Sequence, residues 1–183
     1  MAVVNSYKTQ GIVLKRINFG EADRIITLYT KNFGKITAIA KGVRKMTSRK
    51  RGSLEIFNLV EFFAARGKAM DVITEVETLK TYESWRKDLH KVGIAYEMAE
   101  MVDRLTVEES DQEEIFDLLS SSLEKLGAVE RQDLKVFLNN FGQVLVKILG
   151  FWPREKAFPP NFDTIAFIEQ LAERELKSKN ILK

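Results

Sequence analysis

The hydrophobic period of this chain switches once, between Thr81 and Trp85, from two residues to between three and four. A period of two belongs to a half-buried strand and the longer one to a helix, so the switch divides the fold into a β part and an α part. Five segments before it read as strands. Thr9–Arg16 carries Ile12 and Leu14 on one face, and Arg24–Thr30 is rich in β-branched and aromatic residues. Lys35–Lys41 alternates Ile36, Ala38 and Ala40 against Lys35, Thr37 and Ile39. Glu55–Ala65 and Asp71–Leu79 complete the set. Gly20 sits in the first turn, and Asn32-Phe33-Gly34 is a hairpin signal in which Gly34 supplies a positive φ. Arg66-Gly67-Lys68 is the last turn.

Five short antiparallel strands in residues 1–82 predict a small closed barrel. The long connection Gly42–Leu54 after the third strand fits the OB-fold, with an SH3-like barrel as the alternative that pattern alone leaves open. Residues 83–183 read as an all-α half, giving an α+β chain of two domains. Leu89, Val92, Ala95, Tyr96, Ala99, Val102 and Leu105 mark a first helix. Ser110 with Glu113 forms a capping box ahead of the apolar face Ile115, Phe116, Leu118, Leu119 and Leu123, and Gly127 reads as its stop. Leu134, Phe137, Leu138, Phe141, Leu145, Ile148 and Leu149 mark a third helix that ends at Gly150, and Asp163–Leu176 is the last. Trp85 and Trp152 are expected as packing anchors.

The function classes this chain excludes follow from what it lacks. It has no cysteine, so disulfides and thiolate metal sites are ruled out, and its single histidine, His90, cannot build a histidine-rich metal site. No apolar run reaches the ~18–20 residues that span a bilayer. MAVVNSYKTQ has no charged n-region before an apolar core, so no signal peptide and no membrane partner are expected and the cytoplasm is the simplest compartment. Glu21 and Asp23 are close in sequence but sit beside Gly20 and Arg24, where turn capping and a local ion pair explain them. No phosphate loop, nucleophile elbow or HExxH pattern appears. The expectation is a protein that is not an enzyme and needs no cofactor.

Charge is the positive signal. Residues 1–51 hold twelve Lys/Arg against two acids, a balance of +10, while the remainder holds 17 against 24, a balance of −7. Such a split points to a polyanion partner for the basic part, with a solvated basic face as the plainer alternative. Lys41–Arg51 (KGVRKMTSRKR) concentrates six cations in eleven residues and has too little apolar character to be core. On a barrel rim it would set forked guanidinium and compact ammonium donors against phosphates. About six such contacts would make affinity fall ~1000-fold between 50 and 200 mM salt. The expected DNA-binding set is Lys15, Arg16, Arg24, Lys35, Lys41, Arg44, Lys45, Arg49, Lys50 and Arg51. Phe19, Tyr29, Phe33, Phe57, Phe62 and Phe63 could stack on bases, and Phe19 and Phe33, in predicted turns, are the expected exposed platforms. Adjacent Phe62 and Phe63 must face opposite sides of a strand. Glu108, Glu109, Asp111, Glu113 and Glu114 read as a loop and a helix N-terminus favoured by the dipole.

Two phrases, FGEADRIITL over Phe19–Leu28 and GKITAIAKGVR over Gly34–Arg44, resemble the RecO family of bacterial recombination mediators. Leu54-Glu55-Ile56-Phe57 is similar to the start of that family's fourth strand, Leu149–Pro153 (LGFWP) to its helix-ending LGYxP, and Glu173–Lys179 to a C-terminal LKS-type motif. The resemblance implies an OB-fold joined to a helical bundle, binding of single- and double-stranded DNA, and strand annealing. It further implies partnership with RecR, contact with the C-terminal tail of single-strand-binding protein, and help in loading RecA on coated single strands, in a nucleoid-associated cytoplasmic protein. For the tail, the candidates are Arg86, Lys87, Lys91, Arg104, Arg131, Lys135 and Lys147. Many family members carry a four-cysteine zinc knuckle after the LGYxP-like segment. Here Arg154–Pro160 offers no ligand, so the insertion is expected to be absent, the last helix kept and no metal bound. An RNA-binding OB-fold accessory protein is the alternative with the same electrostatics. A protein whose basic half docks an acidic partner is a third.

Overall fold

The computed structural model describes residues 5–108, 110 and 112–173. They form two compact units: Met1–Thr81 with Glu108–Phe116, and Tyr82–Val107 with the chain from Asp117 onward.

The first unit is a closed barrel of β1 (Ser6–Phe19), β2 (Asp23–Thr30), β3 (Gly34–Ala40), β4 (Leu59–Ala65) and β5 (Asp71–Lys80) in the order β1-β2-β3-β5-β4. The expectation of antiparallel pairing throughout fails at one junction: β3 and β5 are parallel, with Ala38 beside Asp71 and Ile39 beside Val72. The reason is the crossover. β4 pairs with β1 rather than with β3, so β5, antiparallel to β4, arrives beside β3 running the same way. This order, with the short helix α1 (Lys50–Ser53) between β3 and β4, is the OB arrangement and not the SH3-like alternative.

Alternation decides the two faces. Ile26, Leu28, Ile36, Ala38, Ala40, Phe62 and Ile73 point inward and are buried together. Phe62 is fully buried while Phe63 is 39% exposed, as opposite faces require. The β1–β2 register slips at Leu14, a bulge that shifts β1 by one residue relative to β2 between Val13 and Lys15. The fourth strand begins later than expected. Glu55–Asn58 is a turn in which Phe57 adopts φ 72°, and the Asn58 side chain donates to the carbonyls of Gly52 and Ser53. Gly34 has φ 62° in the β2–β3 hairpin, where Thr30 Oγ1 donates to its carbonyl and accepts from Phe33 N.

The second unit contains α2 (Leu89–Leu105), the C-terminal part of α3 (Glu113–Lys125), α4 (Leu134–Ile148) and α5 (Thr164–Leu171). Asp88 caps α2 by accepting from His90 N and Lys91 N, and Asp163 caps α5 by accepting from Ala166 N. The expected face of α2 is rotated: Gly93, Ile94, Ala95, Met98, Ala99, Met101 and Val102 are buried, whereas Leu89 is 72% exposed. Apolar residues surround much of α2, so several stripes satisfy the period, and packing against α4 and α5 selects among them. α4 ends as expected at Gly150, φ 79°. Phe151 N donates to Val146 O and Gly150 N to Lys147 O, the paired bonds of a Schellman turn.

Two stop and start signals are corrected. α3 begins at Glu113, so Ser110 lies too far upstream to cap it. Gly127 is not a left-handed stop; it lies in a 3-10 turn, Leu126–Ala128. A β-carbon there would come within 2.6 Å of Ser84 Oγ, so close approach explains this glycine. Trp85 is buried as expected, and its indole donates to Leu123 O at 2.8 Å. The last helix ends at Leu171, and Arg174–Lys179 of the LKS-like motif lies outside the described residues. Among the described residues no helix is long and apolar enough to cross a membrane.

Candidate nucleic-acid interface

The β3–β4 connection is held against the β1–β2 turn. Asp23 Oδ1 accepts from Gly42 N at 2.7 Å, Arg44 N donates to Ala22 O at 2.8 Å, and the Arg44 guanidinium donates to Gly20 O at 3.2 Å. Gly42 turns the chain there with φ 65°, in the left-handed region that favours glycine. The connection is pinned at both ends by side chains that are fully buried, Val43 and Leu54. Between the pins Lys41, Lys45, Arg49 and Arg51 are exposed and Arg44 and Lys50 half-buried. Among the described residues none of these six forms an ion pair. Lys50 Nζ instead donates to Ile73 O at 3.2 Å. The rim is a display of positive charge on a fixed backbone.

Arg16 and Arg24 point toward the barrel end, where both reach one carboxylate, Glu55. Arg24 also donates to Asn18 Oδ1 at 3.2 Å. Its guanidinium is held below its usual pKa by burial first and then by Arg16, with Arg51 and Arg44 adding to the repulsion and Glu55 opposing it. Two arginines therefore share a single acid while two more add to the repulsion on Arg24, a local surplus of positive charge that a phosphate would relieve. Lys15 is exposed on the outer face.

Other expected residues lie elsewhere. Lys35 opens β3 while Lys41 follows its end, about 20 Å away at strand spacing. It is half-buried and bridges to Glu108 in parallel pairing. Phe19, at the end of β1, is 52% exposed. Phe33 is not the open platform its turn position predicts: it is half-buried, packs on Tyr7 at 4.7 Å, and lies 5.8 Å from the Arg66 guanidinium. A hairpin residue folded back on the core offers no free ring face.

Four of the seven candidate cations of the helical unit are committed to partners within it. Arg86 lies over Trp85 at 5.6 Å, Lys91 Nζ donates to Gly127 O at 2.7 Å, and Arg104 pairs with Glu100. Lys147 donates to Arg154 O at 3.1 Å and lies over Phe158. Lys87, Arg131 and Lys135 are exposed. Where the zinc knuckle of the resemblance would stand, Trp152, Phe158, Phe162 and Phe167 pack ring on ring at 4.6 to 6.0 Å. A four-thiolate site does not fit a cysteine-free chain.

Three features escaped the sequence reading. Ile17, Ile25 and Ile39 pair across β1, β2 and β3 and form an outward row, hidden in sequence because the bulge at Leu14 breaks the alternation of β1. Met46, 90% exposed, stands among the rim cations. The third is the destination of the acidic cluster. Glu108–Phe116, expected in the helical half, belongs to the barrel unit.

The fold and the rim define a class: an OB barrel presenting a rim of exposed cations, followed in the chain by a helical unit. Comparison with known sequences narrows it. The family model "Recombination protein O N terminal" matches residues 1–82 and "Recombination protein O C terminal" residues 86–157. The chain belongs to the recombination protein O (RecO) family. It is 36% identical over 147 residues to a DNA repair protein RecO of Pelotomaculum thermopropionicum, covering 80% of this chain and 56% of the relative. It is 35% identical over 148 residues to one of Roseiflexus, covering 81% and 51%. To one of Nostoc sp. it is 41% identical over 121 residues, covering 66% and 41%. The chain spans about half the length of the curated relatives it matches.

Proposed function

We propose that this chain is a non-enzymatic DNA-binding mediator of recombinational repair. The observation that carries the reading is the rim of Lys41, Arg44, Lys45, Arg49, Lys50 and Arg51, six cations on an anchored loop with no carboxylate partner among the described residues. The name its relatives carry, DNA repair protein RecO, supports repair as the setting. Phosphates of single- or double-stranded DNA take the place of released counterions along the rim. Lys15, Arg16 and Arg24 extend it onto the barrel end, and Phe19 offers a ring for a base. Cations shared between two strands reduce their repulsion, so complementary bases can pair, and no covalent step is needed.

The finer roles follow from the family resemblance. The chain anneals strands and helps RecA load on single strands coated by single-strand-binding protein, with RecR as partner. The exposed cations Lys87, Arg131 and Lys135 are the remaining sites for that protein's acidic tail. Binding to chromosomal DNA would place it at the nucleoid. Annealing of complementary oligonucleotides, bare and coated, tests the reading, with acceleration expected in both. Tighter binding to RNA than to DNA of the same sequence, at fixed salt, would instead favour an RNA accessory role.

A further inference from the structure

The acidic stretch 108–114 carries five acids in seven residues, Glu108, Glu109, Asp111, Glu113 and Glu114. Two of them, Glu109 and Asp111, lie outside the described residues. The others show where the stretch runs. Residues Thr27, Tyr29, Lys35 and Thr37 share the outer face of β2 and β3, because they pair directly across the strands and alternate with the buried Leu28, Ile36 and Ala38. The Glu108 main chain pairs with that of Lys35 in an isolated parallel β-bridge, and its carboxylate accepts a hydrogen bond from Thr37 Oγ1 on this face. Tyr29 donates to the Gln112 carbonyl at 3.3 Å, and Glu113 pairs with Lys31 at 3.3 Å. Glu108 also walls a cleft of about 220 Å³ together with Thr37, Arg66, Lys68 and Asp71 of β3 and the β4–β5 turn.

In OB barrels the β2–β3 face and the β1–β2 and β4–β5 loops are the surfaces that take oligonucleotides. Here one end of that face carries an acidic part of the chain itself, with the Glu108 main chain paired to Lys35, its carboxylate on Thr37, and the Glu113 carboxylate on Lys31. The charge balance agrees. Residues 1–81 hold 15 Lys/Arg against seven acids, a balance of +8, and the five acids of 108–114 reduce it to +3. The second unit then holds 14 of each sign.

We propose that this stretch is an internal competitor for nucleic acid: the carboxylates of Glu108 and Glu113 occupy phosphate positions on and beside the β2–β3 face and restrict binding to the rim until a strand displaces them. The inference rests on the DNA-binding reading above and adds a second, masked stretch to the same surface. In the masked state Lys31 and Lys35 contribute little to DNA affinity; once the acids leave, each becomes available to a phosphate.

The test is a double-mutant cycle read by fluorescence anisotropy of a labelled oligo(dT) at several salt concentrations. One background neutralises the stretch: Glu108→Gln, Glu109→Gln, Asp111→Asn, Glu113→Gln and Glu114→Gln. A control neutralises five exposed acids of the second unit, Asp117, Glu130, Asp133, Glu155 and Glu173. Lys31→Gln with Lys35→Gln is then added to the parent and to the neutralised chain. The neutralised stretch is expected to tighten binding about tenfold and steepen the salt slope by about 1.4, from two phosphates at about 0.7 each on a single strand. The lysine pair is expected to weaken the parent less than twofold and the neutralised chain about tenfold. Equal weakening in both backgrounds, or equal tightening by the control set, overturns the competitor while leaving DNA binding intact. No binding by any variant at low salt overturns the DNA-binding reading and this inference with it. Glu108→Gln alone, the lighter change, is expected to tighten binding two- to threefold should the fivefold variant fold poorly.

Discussion

Lys35 and Lys41 flank one strand of the barrel, yet they have opposite fates. Lys35 sits where an acidic stretch from later in the chain lies against β2 and β3. Lys41 opens a rim whose six cations have no carboxylate partner among the described residues. Nothing in the residue type separates them. Counting cations finds a basic region, but what a given cation can bind depends on whether the fold has already supplied it with an anion.

Four changes would break or sharpen this contrast. The largest effect is expected from replacing Lys41, Arg44, Lys45, Arg49, Lys50 and Arg51 with Gln. DNA affinity should fall about 1000-fold near 0.1 M salt and the slope of log affinity against log salt flatten by about 4 on single strands. An unchanged slope would remove the rim from the interface. Phe19→Ala comes next, with affinity for single strands reduced about tenfold, the worth of one stacked base, and duplex affinity nearly unchanged. Equal losses on both substrates would make Phe19 a packing residue. Asp23→Ala deletes the carboxylate that holds Gly42 N, so the rim should loosen. Thermal unfolding should show a loss of about 1 kcal/mol, with DNA affinity reduced severalfold. Glu55→Gln should have the smallest effect and the opposite sign on binding. It removes the one acid shared by Arg16 and Arg24, so DNA should bind about threefold tighter while the melting temperature drops. The stability sign follows from Arg24: burial and like charges already oppose its charged form in the fold, and Glu55 is what offsets them.

Much of this architecture was legible in the sequence. The strand-to-helix switch near Trp85, the hairpin glycine Gly34, the Schellman glycine Gly150 and the opposed pair Phe62 and Phe63 were all readable, because each is a local consequence of backbone geometry. The parallel β3–β5 pair was not, since strand order depends on which edge β4 finds. The rotated face of α2 was not, because its apolar residues allow more than one stripe. Phe33 looked like an exposed turn residue and is instead folded against Tyr7. The rim itself was visible as KGVRKMTSRKR, though its anchoring by Val43, Leu54 and Asp23 was not.

By itself the sequence determined the family, the barrel-then-helices order and a surplus of cations in the first 51 residues, for these follow from short-range periodicity, composition and motif. Only the tertiary structure decided which of those cations face solvent and which face the acids of residues 108–114. Lys31 and Glu113 stand 82 residues apart, and electrostatic partnership is set by distance in space, which no local pattern along a chain encodes.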